Sequence, residues 1–348
     1  MRVDAIFGYY GHGNFGDDLF RSVLLDALGQ DEIARPRTVL RGDDSSPLGA
    51  LPRRIANAVL LARARTITLG GGSVLGAPRP RSLRAGQMRA ATRGTPFFGV
   101  GLGLKDPPGP ARDALLRRFD WLALRSAEEV AEAAALRGDR PTRFMPDLAY
   151  AAGHAEGADP APPDPVATIV PAEVGAIGHL AADPVRLTAW CDGALIPFLG
   201  EEGLAPRILV LQRGHEGDRR VADTLRAALA ARDVEASVAI HGGVAETRGH
   251  LARSAAVISD RLHGAIVAHA AGRPALLSRH HAKCDRFLAP LPAPATSMGR
   301  ALAKLADAAG FGTMGALDGA DAATRAALAG RAQAALGEWR EAVVGAVR

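Results

Sequence analysis

Short apolar runs recur along the chain, and most are followed by a longer stretch with helical spacing. Runs at 5–9, 39–44, 66–69, 96–100 and 121–124 read as strands, and segments at 19–28, 52–64, 81–93, 111–119 and 127–136 read as helices. Residues 154–165 then carry four prolines and little that can pack, which marks a linker. The alternation restarts beyond it. Strands are predicted at 166–170, 207–212, 234–240, 255–258 and 274–278, with helices at 184–199, 218–231, 246–253 and 265–272. A long Ala-rich helix covers 320–347. Strand–helix alternation on both sides of one linker predicts an α/β chain with two doubly wound Rossmann-like domains. The expected boundaries are 1–153, the linker 154–165, a second domain at 166–319, and a C-terminal helix at 320–348 available to pack back on the first domain. A cleft between two such domains is the expected place for a ligand.

Composition adds to this picture at three points. With 348 residues, 48% of them hydrophobic and 23% charged, each domain has material for a core. Aromatics are only 5% while glycines number 40, so small side chains must let helices approach sheets closely. The net charge of +5 admits an anionic partner, but the arginines are spread out and form no dense basic block. A nucleic-acid partner is therefore not expected.

The two cysteines, Cys191 and Cys284, lie far apart and in no metal-ligand spacing, which points to a reducing compartment without a disulfide. No signal-peptide pattern is evident, and the longest charge-free runs, at 66–78 and 287–299, are 13 residues each and contain Gly or Pro. The expectation is a cytoplasmic protein with at most peripheral contact at the inner face of a membrane.

The densest chemistry lies at Asp260-Arg261-Leu262-His263-Gly264, between the apolar run 255–258 and a helical pattern. In a parallel sheet ligands collect at such strand ends. A helix N-terminus favours an anion. Arg261 adds a planar donor fork for carboxylate or phosphate, and His263 adds a group able to move a proton near neutral pH. The structural reading of the same residues is a salt-bridged arginine and a capping histidine.

Other strand ends carry related features. Residues 8–18 form a glycine-dense turn that holds Asn14, Asp17 and Asp18. It has neither the dinucleotide fingerprint nor the Gly-Lys-Ser/Thr ending of a P-loop. Two carboxylates at the helix start disfavour phosphate there and suit either capping or hydrogen bonds to sugar hydroxyls. Gly70, Gly71 and Gly72 end the strand at 66–69, which implies close approach of a ligand or of a packed helix. Arg125 stands at a strand end like Arg261, and Arg213 follows the strand at 207–212. Asp218 is read as the cap of the helix at 218–231.

These segments together resemble the polysaccharide pyruvyl transferase family. The resemblance runs in order through 8–19, 69–73, 98–103, 124–129, 146–148 and 258–283. It implies a fold similar to two-domain B-type glycosyltransferases. The implied reaction moves the pyruvyl unit of phosphoenolpyruvate onto two hydroxyls of a sugar, forming a cyclic ketal. By position Arg125, Arg261 and His263 match the family's donor-binding and catalytic residues. Lys283 falls where the family carries a lysine after an aromatic–histidine pair, although His280-His281-Ala282 precede it here without the aromatic. The second domain is then the donor side and the first the acceptor side.

The reaction suits these residues. Two arginines can clamp a phosphate and a carboxylate. Protonation at C3 makes C2 an electrophile for a sugar hydroxyl, phosphate leaves, and a second hydroxyl closes the ring. His263, Arg261 and Asp17 form the expected catalytic set. Arg125, Lys283, Asn14, Asp18, Gly71, Gly72, Arg213 and Gly264 form the expected substrate-binding set. No cofactor or metal is expected, because no His/Asp cluster has ligand spacing. The partners implied are phosphoenolpyruvate and a sugar acceptor such as a lipid-linked oligosaccharide.

Two alternatives are a nucleotide-sugar glycosyltransferase on the same frame and a non-catalytic glycan- or anion-binding relative. A strand-end glutamate for a ribose, with Glu173 and Glu216 as candidates, would mark the first alternative.

Overall fold

A computed structural model describes residues 3–10, 12–29, 39–41, 63–75, 94–104, 109–152, 161–308 and 314–346. These divide into two compact units. The first holds the described residues of Met1–His12, Gly16–Gly153 and Ala327–Arg348, and the second those of Gly13–Phe15 and His154–Ala326. The helices expected at 52–64 and 81–93, the end of the strand at 39–44 and most of the linker at 154–165 fall outside the described residues. The exceptions in the first of these are Arg63 and Ala64.

The first unit contains strands β1 (Val3–Tyr10), β2 (Val39–Arg41), β3 (Ala64–Leu75), β4 (Phe97–Leu104), β5 (Trp121–Leu124) and β6 (Thr142–Phe144). They form one sheet in the order β2-β1-β3-β4-β5-β6, with every pairing parallel. Every residue of β4 and β5 is buried, so these strands read as unbroken apolar runs rather than as alternation. Helices α1 (Phe15–Gly29), α2 (Pro110–Leu116) and α3 (Ala127–Arg137) pack with the sheet. Ser126 caps α3 by accepting the Glu129 N–H. Glu129 itself is buried and accepts the Leu104 N–H at 3.0 Å, tying the start of α3 to the end of β4.

The second unit contains β7 (Asp164–Val170), β8 (Ala205–Val210), β9 (Ser237–Ile240), β10 (Ser254–Ser259), β11 (Ala275–Ser278) and β12 (Met314–Leu317). The order is β12-β11-β10-β7-β8-β9, and only the β11–β12 pairing is antiparallel. Counted from β7 this is the 3-2-1-4-5-6 order of dinucleotide-binding folds, whose connections reverse direction between the first and fourth strands. Here that reversal lies between β7 and β10.

The second unit's helices are α4 (Ala176–Ala181), α5 (Pro184–Trp190), α6 (Ile196–Glu201), α7 (Glu216–Ala230), α8 (Val244–Arg253), α9 (Leu262–Ala270), α10 (Ala282–Leu288) and α11 (Ser297–Ala308). A last helix, α12 (Ala322–Gly345), passes into the first unit's residues at Ala327. There Trp339 is fully buried and donates its Nε1–H to Thr68 at 3.2 Å.

Several predicted elements change on inspection. The helix expected at 184–199 is α5 and α6 joined by a wider, π-wound segment, Cys191–Leu195. Pro197 lacks an N–H, and its ring would crowd the carbonyl four residues back, so local widening accommodates it. The strand expected at 234–240 pairs only from Ser237, after a turn in which Asp233 takes φ 56°. Asp218 is not the cap of α7: the helix starts two residues earlier, and His215 is its N-cap. Five elements, β6, α4, α10, α11 and β12, were not predicted. The apolar residues of β12 are punctuated by Gly315, which lets Leu288 pack against the strand.

The glycines 70–72, expected to end a strand, lie inside β3, which runs on to Leu75, and they answer to packing. Gly71 has φ +67°, and a Cβ there would sit 2.3 Å from the Phe20 ring of α1. A Cβ on Gly70 would meet Leu24 at 2.3 Å. The close approach predicted at these glycines is thus made by a helix. Gly71→Ala should lower unfolding free energy by roughly 2–4 kcal/mol, combining left-handed strain with overpacking. Urea unfolding measures this, and a loss under about 0.5 kcal/mol would contradict the packing account.

A second expectation concerns acid. His269 is buried on α9, with its ring edge-on to Phe287 at 5.9 Å. Burial pushes its imidazole down to about 4 from 6.5; the Arg325 charge adds to this and Asp321 opposes it. Between those values the unfolded chain takes up a proton that the folded chain refuses, so stability falls as pH drops from about 6.5 to about 4. The group contributes a loss of up to about 3 kcal/mol across that window. His269→Phe should reduce the difference between unfolding free energies at about pH 7 and pH 5. An unchanged difference would show that His269 takes no part.

Candidate active site

Asp260 shapes the loop that follows β7, at the paired carboxyl ends of β7 and β10. Its side chain is fully buried. Oδ2 accepts N–H groups from Ala172 at 3.1 Å and Gly178 at 3.3 Å, and Oδ1 accepts that of Ile177 at 3.2 Å. Its own N–H donates to the Val170 carbonyl at 2.8 Å. The chain can wrap the carboxyl this tightly because residue 175 is glycine: a Cβ there would lie 2.0 Å from Asp260 Cγ. Burial pushes the Asp260 carboxyl up to about 7, against the pull of the backbone N–H groups.

Arg261 is the N-cap residue of α9, with extended backbone (φ −99°, ψ 124°), so its side chain leaves the strand end before the helix begins. Ser259 fixes that turn, accepting the Arg261 N–H at 3.1 Å and donating to the Arg261 carbonyl at 2.6 Å. Gly264 serves the same junction, since a Cβ there would come 2.4 Å from Ser259 Oγ. His263 lies in the first turn of α9 and is half-buried.

The guanidinium of Arg261 is paired. Nε donates to Asp218 Oδ2 at 3.1 Å, and Nη2 donates to the same oxygen. Asp218 is fully buried, while the Arg261 side chain keeps 26% of its surface. The other carboxylate oxygen, Oδ1, accepts the Glu173 N–H at 3.0 Å. Glu173 pairs with Arg220 at 2.6 Å. The salt-bridged arginine of the structural reading is therefore present, at a strand end that also carries His263.

At the next strand end, after β11, His280 Nδ1 lies 3.2 Å from Ser278 Oγ, which accepts the Ala176 N–H at 3.1 Å. Burial lowers the His280 imidazole below its ordinary value, and the charges of Lys283, His281 and Arg261 lower it further. Lys283 and Arg261 are thus both near enough to His280 for their charges to act on it, and His280 and His281 themselves are exposed.

Asn14 and Arg213 meet at the end of β8. Asn14 forms an antiparallel bridge with Gln212, and the Arg213 N–H donates to the Gly13 carbonyl at 2.9 Å. Gly13 has φ +65° and lies under Arg213, where a Cβ would be 3.3 Å from Arg213 Cβ. Phe15 follows, buried edge-on against His241 with ring centroids 5.4 Å apart. His241 Nδ1 is 2.7 Å from Thr247 Oγ1. Asn14 and Arg213 are held together by backbone, and the Arg213 side chain is exposed.

In the first unit Arg125 stands directly after β5, its N–H bonded to the Leu102 carbonyl at 3.0 Å. Nη1 donates to Asp147 at 3.1 Å, and both side chains are largely buried. Asp147 also caps the short turn Leu148–Ala151 through the Ala149 N–H at 3.0 Å. Asp17 and Asp18 are half-buried in the first turn of α1, where they favour the positive end of its dipole. They lie inside that helix, not at its cap. Gly72, at φ +78°, follows Gly71 on β3. In this sheet β3 and β4 separate Arg125 from the turn after β1.

Asp218 and Asp147, the two carboxylates holding the candidate arginines, had no such role in the sequence. Asp218 is 43 positions from Arg261, and no local pattern links them. Asp147 stood in a resembling segment without a partner. Among the described residues, no three His, Cys, Asp or Glu side chains gather as metal ligands would. Among the same residues, no helix is long and apolar enough to cross a membrane.

No curated protein matches the chain in sequence. The fold is shared with solved structures. The UDP-GlcNAc 2-epimerase from Neisseria meningitidis bound to UDP-GlcNAc gives a TM-score of 0.58 at 10% identity, covering 97% of this chain and 99% of its own. A putative UDP-N-acetylglucosamine 2-epimerase from Listeria monocytogenes gives 0.58 at 11% identity, with 99% and 96% covered. The UDP-GlcNAc 2-epimerase from Methanocaldococcus jannaschii gives 0.57 at 10% identity, with 94% and 98% covered. At such identities the likeness is one of fold, that of two Rossmann-like units as in B-type glycosyltransferases and epimerases. The sequence model of the polysaccharide pyruvyl transferases matches residues 14–281, which include Asn14, Arg125, Arg213, Arg261 and His263. The chain belongs to the polysaccharide pyruvyl transferase family.

Proposed function

We propose that the protein transfers the pyruvyl group of phosphoenolpyruvate to two hydroxyls of one sugar in a polysaccharide or a lipid-linked precursor. The products are a cyclic ketal and inorganic phosphate. The observation that carries this reading is the junction of β10 with α9. It combines a carboxylate-held arginine, a histidine in the first helical turn, and the charge of Lys283 acting on the same strand-end edge. A small dianion with two separate acidic groups is the ligand chemistry such an edge favours.

In this reading His263 delivers the proton to C3 of the enol, making C2 the electrophile. One sugar hydroxyl adds to C2, the C2–O bond to phosphate breaks, and the second hydroxyl closes the ring. One hydroxyl proton replaces the one given to C3, and the other leaves with phosphate. Arg261 and Lys283 bind the donor's anionic groups, and Arg125 of the first unit is assigned to substrate binding by the family resemblance. Gly264 lets α9 start close to the strand, so that its first N–H groups face the donor. Asn14 and Arg213 are assigned to substrate, and Asp17 or Asp18 to orienting a sugar hydroxyl. No metal or nucleotide enters these steps.

The solved neighbours are named for UDP-sugar chemistry, so a nucleotide-sugar transferase is the reading that the decisive assay must separate. The protein should release phosphate from phosphoenolpyruvate only with a suitable oligosaccharide, and that acceptor should gain the mass of a pyruvate ketal. Turnover of a nucleotide sugar, with no phosphate release from any acceptor in a broad panel, would overturn the proposal. His263→Ala should lower kcat roughly hundredfold or more while changing donor affinity little. Arg261→Ala should weaken donor binding by roughly 1.5–3 kcal/mol. Unimpaired turnover by His263→Ala would remove it from proton transfer.

A further inference from the structure

The sequence gives Asp218 no role beyond the start of a helix, yet at this strand-end edge it holds both Arg261 and the Glu173 N–H. It is fully buried, three residues into α7. Both oxygens accept: Oδ2 takes Nε and Nη2 of Arg261, and Oδ1 takes the Glu173 N–H. His215 stands behind it. Its Nδ1 is 3.2 Å from the Asp218 N–H and 3.0 Å from Oδ1, so a neutral ring caps the helix and a protonated ring donates to the carboxylate. Three loops, after β7, β8 and β10, are therefore joined at one carboxylate.

The consequence for Arg261 is specific. Its Nε and Nη2 are committed, and among the described residues Nη1 has no acceptor. A free arginine samples many rotamers, whereas one tied at two nitrogens offers its remaining donor edge from a fixed place. The pair also has no net charge. Arg261 therefore supplies direction to an anion rather than long-range attraction.

We propose that Asp218 is a positioning residue for the donor site, fixing the Arg261 guanidinium through Nε and Nη2 so that Nη1 faces an anionic oxygen of the substrate. This rests on the reading of the site as one for phosphoenolpyruvate. Asn cannot replace Asp218. Its amide has one acceptor oxygen, so either Arg261 or the Glu173 N–H would face an NH2 donor.

Two measurements test the proposal. In steady-state kinetics Asp218→Asn should raise KM for phosphoenolpyruvate roughly 10- to 100-fold, the loss of a charged hydrogen bond. KM for the sugar acceptor should stay near its native value. Combining it with Arg261→Lys should add little to either single change, because both remove one interaction. An Asp218→Asn protein that folds and keeps the native KM for phosphoenolpyruvate overturns the proposal, as does full additivity with Arg261→Lys.

Should Asp218→Asn fail to fold, the native protein labelled with 15N-arginine provides the second test. A slowly exchanging Nε–H resonance, absent in Arg261→Lys, is expected without any ligand. Exchange as fast as that of exposed arginines overturns the proposal. This resonance does not depend on donor chemistry. A native protein that shows it yet never turns over phosphoenolpyruvate would contradict the functional reading while leaving the Asp218–Arg261 pairing intact.

Discussion

A buried carboxylate bonded to a half-buried guanidinium organises the carboxyl edge of the second sheet. Removing either charge from such a pair leaves the other stranded in a poorly solvated place, which is strongly unfavourable. The Asp218–Arg261 pair therefore joins the β8–α7 loop to the start of α9 and defines the crevice where the strand order reverses. A neighbouring carboxyl, Asp260, does a different job. It satisfies backbone N–H groups at the start of α4, and the glycine at 175 exists so that the chain can close around it. Successive residues of one strand end thus serve two purposes: the first holds backbone, and the second points a cation outward.

The first unit repeats this device. Arg125 follows β5 as Arg261 follows β10, and Asp147 holds it as Asp218 holds Arg261. In both places the carboxylate comes from a different loop and is more buried than the arginine. A guanidinium restrained in this way loses less freedom on meeting a planar anion, which is the advantage of a prearranged site over a mobile surface arginine.

Much of the architecture could be read from the residues. Parallel strands buried on both faces appear as plain apolar runs, so β4, β5, β7 and β10 stood out. The β12 strand did not, because it is short, antiparallel and broken by a glycine that serves packing against Leu288. The site was legible in part. Arg261 and His263 declared themselves through their place between a strand and a helix. Asp218 did not, because its partner is 43 positions away and its local setting imitates a helix cap, a task that His215 performs. Gly71 suggested a ligand as readily as a helix, and the positive φ together with the Phe20 ring beneath it identifies the helix.

The central claim is that Arg261, held by Asp218, meets the donor at the β10–α9 junction. Its most direct test is a crystal structure of the protein with bound phosphoenolpyruvate or an unreactive analogue of it. A phosphate or carboxylate oxygen should lie within hydrogen-bonding distance of Arg261 Nη1, with the Asp218 contacts unchanged and the His263 ring facing the enol carbon. A donor bound elsewhere, with Arg261 still paired to Asp218 and touching no ligand atom, would contradict the account.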